Sequence, residues 1–330
     1  MKILVTAPAG NVGRWVVREL LAPEFSVRVL AREPSRLPAE VHAQAEIIPG
    51  STDDAAALVR ALDGVEAAFW CVPPARLQDT HASAHYERHA RAARQALRQA
   101  GTPRVVTVST GGKGFARRVS PLLGLHAMED VLNDSGASIR HLRCGFFMEN
   151  FLSQANSIFR HALLSFPAPG DIRLPMVAGR DAADVALRWL VRRDWRGLGA
   201  LGVHGPADLS FEEAAVLLGQ TLRQGVRYKE APANQFVQGL LALGASVDYA
   251  RSQLNLFAEL AAGVSRAEPR SPESTTPTTL AAWAESELAP RAAALRSGEA
   301  RRPPGPADDG RVELTHGVSL QQRTPDGICF

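Results

Sequence analysis

The sequence predicts an α/β protein built on a doubly wound parallel sheet, with a smaller, mostly helical second lobe. Over the first 144 residues, short runs rich in β-branched residues alternate with longer amphipathic segments, a pattern typical of consecutive βαβ units. A turn containing two glycines joins the first run to the first amphipathic segment. After residue 145 the alternation gives way to helical segments interrupted by Gly and Pro.

Six runs in the first part of the chain predict strands. They cover residues 3–6, 26–30, 46–48, 67–72, 104–109 and 138–143. The intervening segments at residues 11–21, 53–62 and 81–100 have the apolar spacing of helices. Because strands joined by helices run parallel with right-handed crossovers, these segments predict one sheet with helices on both faces.

The rest of the chain predicts a second lobe and a tail. Helical spacing covers residues 147–159, 181–193, 210–224 and 234–243, while residues 201–205 are compatible with a strand that returns to the main sheet. We therefore predict a first domain at residues 1–150, with return segments near 176–206, and a smaller substrate-binding lobe at residues 151–295. Residues 296–330 contain four Pro and five Gly without a sustained period, which predicts a disordered tail.

The composition excludes several classes of protein. The chain has 330 residues, with 37 basic and 34 acidic side chains and a net charge of +3, a balance too small to favour a nucleic-acid partner. Cys71, Cys144 and Cys329 are far apart and form no C-x-x-C motif, which favours a reducing compartment. The sequence contains no basic leader and no apolar stretch of about 18 residues. We therefore expect a cytoplasmic protein with no membrane partner.

The turn after the first predicted strand has the residue types that a bound dinucleotide requires. In a dinucleotide-binding Rossmann fold, backbone N–H groups of this turn face a diphosphate at the positive end of the helix, so side chains there must be small or absent. The glycines of this turn meet that requirement. The predicted diphosphate-binding residues are Thr6, Ala7, Ala9, Gly10, Asn11, Val12 and Gly13.

Ala7 departs from the usual pattern, which has glycine at the first position of the turn. We expect alanine to fit there only if its φ is negative, because a β-carbon disfavours the left-handed region. The alternative interpretation of the segment is a tight βα turn that binds no ligand.

Arg32, at the end of the second predicted strand, indicates which dinucleotide is bound. A carboxylate at this point accepts from the ribose 2′-hydroxyl of NAD, whereas an arginine binds the 2′-phosphate of NADP. Arg32 therefore favours NADP(H) over NAD(H), although Glu33 follows directly. Arg36 is either a second phosphate contact or a solvated charge. The ends of later strands, where the crevice opens, add Cys71, Val72, Pro73, Ser109 and Thr110 to the expected cofactor site.

Several motifs form an ordered set along the chain. They are the turn at residues 7–13, the run at residues 27–32, Leu62-Asp63-Gly64-Val65, and the segment Phe146-Phe147-Met148-Glu149-Asn150-Phe151. This set resembles the NmrA-like family of atypical short-chain dehydrogenase/reductases, over roughly residues 1–290. The resemblance implies NAD(P) binding and reduction of quinones, azo or triphenylmethane dyes, imines or activated double bonds. Other members of that family bind the cofactor as redox sensors and catalyse nothing.

The acid–base pair of the catalytic short-chain dehydrogenases is absent. In that pair a tyrosine moves the substrate proton, and a lysine four residues later lowers the tyrosine pKa. The tyrosines here are Tyr86, Tyr228 and Tyr249, followed four residues later by Ala90, Pro232 and Gln253. A planar, electron-poor acceptor stacked on the nicotinamide does not need this pair. We therefore predict an NADPH-dependent reductase of a quinone, imine, dye or activated double bond, with a non-catalytic NADP(H)-binding redox sensor as the alternative.

Three polar residues are candidates for catalysis. His126, expected just before the helix that carries the lysine in catalytic relatives, is a proton donor or ribose contact, or alternatively a structural histidine. Lys113, in the glycine-rich loop after the fifth strand, lies either near the nicotinamide or on the surface. Asn150 either holds the substrate or nicotinamide, or caps the following helix.

The expected substrate pocket is apolar, and no metal site is predicted. The side chains expected to press the acceptor against the nicotinamide are Phe146, Phe147, Met148 and Phe151. Histidines 81, 85 and 89 share a helical face but have too few accompanying ligands for zinc. The expected partner is a small-molecule substrate, and the expected state is a monomer or homodimer.

Overall fold

The computed structural model describes residues 1–101 and 103–297. The strands are β1 Lys2–Thr6, β2 Ser26–Ala31, β3 Glu46–Pro49, β4 Ala67–Trp70, β5 Arg104–Thr110, β6 Ser138–Cys144, β7 Phe146–Phe147, β8 Leu163–Leu164, β9 Arg173–Val177, β10 Leu198–Val203, β11 Asp208–Ser210 and β12 Arg227–Tyr228. The helices are α1 Gly13–Leu20, α2 Ala39–Gln44, α3 Ala55–Leu62, α4 His85–Gln99, α5 Pro121–Asn133, α6 Ala155–His161, α7 Gly179–Val191, α8 Phe211–Leu222, α9 Ala233–Ala242, α10 Val247–Ala261, α11 Leu280–Trp283 and α12 Ala289–Ser297. Within this described part of the chain, no helix is long and apolar enough to cross a membrane.

Seven parallel strands form the central sheet, in the order β10-β6-β5-β4-β1-β2-β3. All six strands predicted from the sequence belong to it, and the predicted α/β Rossmann fold is confirmed. The strand order reverses direction at β1, because β2 and β3 follow on one side while β4, β5 and β6 follow on the other. A doubly wound sheet opens its ligand crevice at this switch point.

The central strands are buried on both faces of the sheet. Ile3 and Val5 pack with α1 and α7 on one face, whereas Leu4 packs with α3, α4 and α5 on the other. Alternate side chains of a strand point to opposite faces, so a strand covered by helices on both sides forms a continuous apolar run. This double burial places β1, and the turn that follows it, at the centre of the molecule.

The second lobe surrounds an aromatic cluster and contains two small sheets as well as helices. β7, β9 and β11 form one sheet, and β8 pairs with β12. The cluster is formed by Phe146, Phe151, Phe166, Phe211 and Phe257, with the rings of Phe166 and Phe257 stacked at a centroid distance of 5.2 Å. From this lobe the chain returns through α7, which packs against the main sheet, and through β10, which is an edge strand of that sheet.

The structure corrects two expectations about the second lobe. The predicted helix at residues 147–159 is wrong at its first residue, because Phe146 and Phe147 pair with Met176 and Val177 of β9. Its first half is a 3-10 helix, Met148–Gln154, and the α-helix α6 begins only at Ala155. Both phenylalanines are buried, and extended backbone buries the two rings in different clusters. Helix α10 was not predicted, although its Ser246 cap is visible in the sequence. Of the predicted tail, residues 298–330 lie outside the described residues, and residues 296 and 297 end α12.

Residues 268–297, here termed the C-terminal segment, pack back onto the first lobe. The backbone N–H of Thr278 donates to the Asp181 carboxylate at the start of α7 at 2.9 Å. Glu287 forms an ion pair with Arg14 in the first turn of α1 at 2.7 Å. The segment therefore joins the N-terminal ends of two helices that flank the β1–α1 turn.

Candidate cofactor site

The turn between β1 and α1 is closed by tight backbone packing. The N–H of Gly10 donates to the carbonyl oxygen of Ala7 at 3.0 Å. A β-carbon on Gly13 would lie 2.1 Å from that carbonyl oxygen, whereas a β-carbon on Gly10 would lie 3.2 Å from it. Packing therefore requires glycine at position 13, while position 10 would accept a β-carbon after a small shift.

Ala7 adopts a conformation that we did not expect. Its φ is +49°, so the expectation of a negative φ is wrong. The turn imposes this conformation, because the Ala7 carbonyl oxygen accepts a hydrogen bond from the N–H of Gly10 and packs against the Cα of Gly13. The left-handed region costs a non-glycine residue about 1 kcal/mol, which the surrounding packing offsets.

The start of α1 is suited to an anion. Val12, at the N-cap, provides no side-chain hydrogen bond, and the first turn contains no acidic residue. The N–H groups at a helix start and the helix dipole both attract negative charge. Ala9 is exposed beside these groups. The small residues and uncapped helix fit the diphosphate of a dinucleotide, and contact of residues 6–13 with it remains a prediction.

Thr6 joins the turn to the neighbouring strand. Its hydroxyl accepts from the N–H of Cys71 at 2.8 Å and donates to the Cys71 carbonyl at 2.9 Å. Burial raises the pKa of the Cys71 thiol to about 12, so the thiol is neutral at pH 7. Thr6 therefore braces the ends of β1 and β4 against each other.

The remaining predicted residues lie at the ends of β4 and β5, and several have partners within the protein. Val72 is buried, and the carbonyl of Pro73 accepts from Nε2 of His85 at 2.8 Å. Ser109 is fully buried and its hydroxyl donates to Glu129 at 2.6 Å. The backbone carbonyl of Thr110 lies 3.2 Å from Nε2 of His126. Cofactor contacts at these positions remain a prediction.

Arg32 and Arg36 differ in their surroundings. Nε of Arg36 lies 2.8 Å from the carboxylate of Glu33. Arg32 is exposed and forms no ion pair or hydrogen bond with the described residues. Of the two arginines, Arg32 is therefore the one whose guanidinium is available to a phosphate at the end of β2.

His126 is part of α5, so the expectation that it precedes this helix is wrong. Its ring is buried, with Nε2 at 3.2 Å from the carbonyl of Thr110 and 3.1 Å from that of Gly111. Burial lowers the pKa of His126, so the neutral ring donates one N–H to these carbonyls. His126 thus holds the loop that follows β5.

Lys113 and Ser109 belong to an ionic network around Glu129, which sequence analysis missed. Burial opposes ionisation of Glu129, but hydrogen bonds from Arg143 and Ser109 and the nearby His141 lower its pKa to about 2. Lys113 is held by Asp130 at 2.5 Å and lies 3.4 Å from Glu129. The predicted catalytic lysine is therefore paired with acids on α5.

The predicted pocket residues are buried in the core. Each of the four side chains, Phe146, Phe147, Met148 and Phe151, is at most 2% exposed. Phe147 belongs to the cluster beneath the main sheet, whereas the others belong to the aromatic cluster of the second lobe. Asn150 lies between them in sequence, is also buried, and its carbonyl accepts from Ser153. Contact of these residues with an acceptor stays a prediction.

The histidines of α4 bond within the protein. Besides the contact of His85 with Pro73, Nδ1 of His89 lies 2.8 Å from the hydroxyl of Thr52. Among the residues that the structure describes, no three His, Cys, Asp or Glu side chains are grouped as a metal site requires.

Comparison with known proteins assigns the chain to a family. A family model described as NAD(P)H-binding matches residues 9–151. A reductase from Streptomyces griseus, named for (4-alkanoyl-5-oxo-2,5-dihydrofuran-3-yl)methyl phosphate, is 31% identical over 247 residues, which are 73% of this chain and 80% of that protein. The protein belongs to the NAD(P)H-binding family. Its predicted place among NmrA-like atypical short-chain dehydrogenase/reductases is confirmed, and this family includes NAD(P)H-dependent reductases of small molecules.

Two solved structures share the fold of this family member. An NADPH-dependent quinone oxidoreductase from Escherichia coli superposes with a TM-score of 0.70 at 21% identity, covering 87% of this chain and 99% of the other. The triphenylmethane reductase of a Citrobacter species, complexed with NADP(H), has a TM-score of 0.69 at 16% identity, covering 88% of this chain and 100% of the other.

Replacing Ala7 with glycine is expected to raise the free energy of unfolding by about 1 kcal/mol, because glycine adopts a positive φ without strain. Urea unfolding measures the change. The matched control is Ala9→Gly in the same turn, where φ is not positive and stability should be unchanged or lower. If the Ala7→Gly variant is no more stable than the wild type, the claim that the backbone of Ala7 is strained is wrong.

Replacing Gly13 with alanine is expected to lower the free energy of unfolding by about 2 kcal/mol in the absence of nucleotide, because the new β-carbon must displace the Ala7 carbonyl. The control is Gly10→Ala, which forms a much longer contact with the same oxygen and should lose less than half as much. Equal losses in the two variants would refute the packing argument.

Proposed function

We propose that this protein is an NADPH-dependent reductase that delivers hydride to a planar, electron-poor small molecule, with an activated carbon–carbon double bond as the favoured acceptor and a quinone, imine or dye as the alternatives. The observation that carries the proposal is an anion-binding β1–α1 turn in a chain whose tyrosines lack a partner lysine four residues on. The Streptomyces griseus relative supports this choice of acceptor, because its named substrate has a ring double bond conjugated with carbonyl groups.

The residues of the crevice have distinct roles in this proposal. The backbone of residues 7–13 binds the diphosphate, and Arg32 binds the 2′-phosphate that distinguishes NADPH from NADH. The NADPH complexes of the quinone oxidoreductase and of the triphenylmethane reductase support this preference. The ends of β4 and β5 orient the nicotinamide end, where His126 fixes the carbonyls of Thr110 and Gly111. NADPH supplies the hydride when it is bound.

The proton that completes the reduction comes from water in this proposal. His126 donates its N–H to backbone carbonyls, and Lys113 is paired with Asp130. Neither side chain therefore has a proton directed at an acceptor. Reduction of a conjugated acceptor is compatible with this arrangement, because the enolate or hydroquinone anion that forms is stabilised within the acceptor itself and takes its proton from solvent.

The activity is tested by following NADPH oxidation with a panel of acceptors. The panel contains an acyl butenolide, a quinone, a cyclic imine and a triphenylmethane dye, with the saturated lactone as a control. We expect turnover of at least one acceptor and none of the saturated lactone. Tight NADPH binding without turnover of any acceptor would favour the non-catalytic redox sensor instead.

Replacing Arg32 with alanine is expected to weaken NADPH binding about 30-fold, the equivalent of about 2 kcal/mol for a charge-assisted contact. NADH binding should change less than about twofold on the same reasoning, because NADH lacks the 2′-phosphate. Fluorescence titration of both nucleotides measures these effects. Arg36→Ala is the control and should lose less, since Glu33 already pairs with Arg36. Equal losses for NADPH and NADH would overturn the assignment of Arg32.

A further inference from the structure

Glu149 places a carboxyl group in the protein interior next to the β1–α1 turn. The residue is 5% exposed and lies in the 3-10 segment Met148–Gln154. Its Oε1 accepts from the backbone N–H of Gly179 at 2.9 Å and from Nε1 of Trp283 at 3.2 Å. Its Oε2 is buried and has no hydrogen-bond partner among the described residues. One half of this carboxyl group is therefore unsatisfied.

The close approach of Gly179 shows how near the carboxyl group is to the turn. A β-carbon on Gly179 would lie 2.8 Å from the carbonyl oxygen of Asn11 and 2.9 Å from Oε1 of Glu149. The carboxyl group and the Asn11 carbonyl thus meet at the first residue of α7. Both groups are acceptors when the carboxyl group is ionised, and only its neutral form carries a proton to donate.

Among the described residues, no cation forms an ion pair with Glu149. The charged groups on the two helices packed around it are Arg14, Arg18 and Glu19 on α1 and Arg180, Asp181, Asp184 and Arg188 on α7. Arg18 and Arg188 are exposed, and the C-terminal segment adds Glu285 and Glu287 on either side of Ser286, close in sequence to Trp283. Arg14 pairs with Glu287 at 2.7 Å, and Arg180 donates to Thr278. Burial raises the pKa of Glu149 to about 7, although the bonds from Gly179 and Trp283 and the charge of Arg14 act in the opposite direction.

We propose that Glu149 is a positioning residue of the cofactor site, which is protonated when the dinucleotide is bound, so that nucleotide binding takes up one proton at this carboxyl group. The proposal rests on the diphosphate-binding role of the turn. A diphosphate at the start of α1 brings negative charge close to Glu149 in a region shielded from water, and like charges disfavour ionisation. The neutral carboxyl group keeps its bonds to α7 and Trp283 without repelling the ligand.

The sign of the pH dependence follows from this linkage. A carboxyl group whose pKa is raised on folding adds stability at low pH, and this contribution is lost as the pH rises through about 7. Bound nucleotide favours the protonated form, so its affinity falls above that pH, by up to about tenfold per pH unit. Glutamine at this position has no proton to gain and removes this dependence.

The experiment is calorimetry of NADPH binding between pH 7 and pH 9, in buffers that differ in ionisation enthalpy, for the wild type, Glu149→Gln and Glu285→Gln. The pH range lies above the titration of the nucleotide's own phosphate, which has a pKa of about 6 by analogy with other phosphate esters. The wild type should take up at most about half a proton at pH 7, where the free carboxyl group is half protonated, take up more as the pH rises above 7, and lose affinity over the same range. Glu149→Gln should bind with little pH dependence and no proton uptake. The exposed Glu285→Gln variant should match the wild type.

The outcomes separate this inference from the proposed function. Binding of NADPH by the wild type without proton uptake overturns the role of Glu149 and leaves the reductase proposal intact, and this measurement does not depend on the stability of the variant. Proton uptake that persists in Glu149→Gln also overturns it. If the wild type binds no nucleotide at any pH, both proposals fail. A fourth outcome combines two results: proton uptake that is present in the wild type and lost in Glu149→Gln, and no turnover of any acceptor. This outcome supports the role of Glu149 and contradicts only the proposal that the protein is a reductase.

Discussion

The carbonyl oxygen of Ala7 occupies the space that a side chain at position 13 would need, and this contact holds the end of β1 against the start of α1. The strand cannot retreat to relieve it, because Ile3, Leu4 and Val5 are anchored in the clusters on both faces of the sheet. The rigid neighbours therefore tolerate a left-handed alanine. As a result, the start of α1, whose N–H groups and helix dipole attract negative charge, is held in a fixed position against β1.

The C-terminal segment extends this arrangement across the two lobes. It meets the start of α7 through Thr278, which donates to Asp181, and it meets Glu149 through Trp283. The two buried acids differ in their hydrogen bonds, since both oxygens of Asp181 accept from Thr278, whereas one oxygen of Glu149 has no partner among the described residues. A buried polar atom is costly to leave without a hydrogen bond, so the two acids differ in how well the fold accommodates them.

The space beside β5 and α5 is used for structure. Glu129 on α5 accepts from Ser109 of β5 and Arg143 of β6, and His126 on the same helix supports the loop after β5. In the catalytic short-chain dehydrogenases, the acid–base pair takes this part of the fold. An internal ionic network in its place is consistent with chemistry in which the acceptor stabilises its own negative charge.

The sequence by itself determined the parallel sheet, the tight glycine-containing turn between β1 and α1, and the absence of a Tyr-x-x-x-Lys pair, because apolar periodicity, the glycine spacing and a simple enumeration of tyrosines are local properties of the chain. Residue spacing did not show that Phe146 to Phe151 are buried, that Lys113 is paired with acids, or that Ala7 is left-handed. It also did not show Glu149 next to Asn11 and Trp283, which are more than a hundred residues away in the chain on either side. Only the tertiary structure decided these features, since the burial and ionisation of a side chain depend on partners that distant segments bring to it.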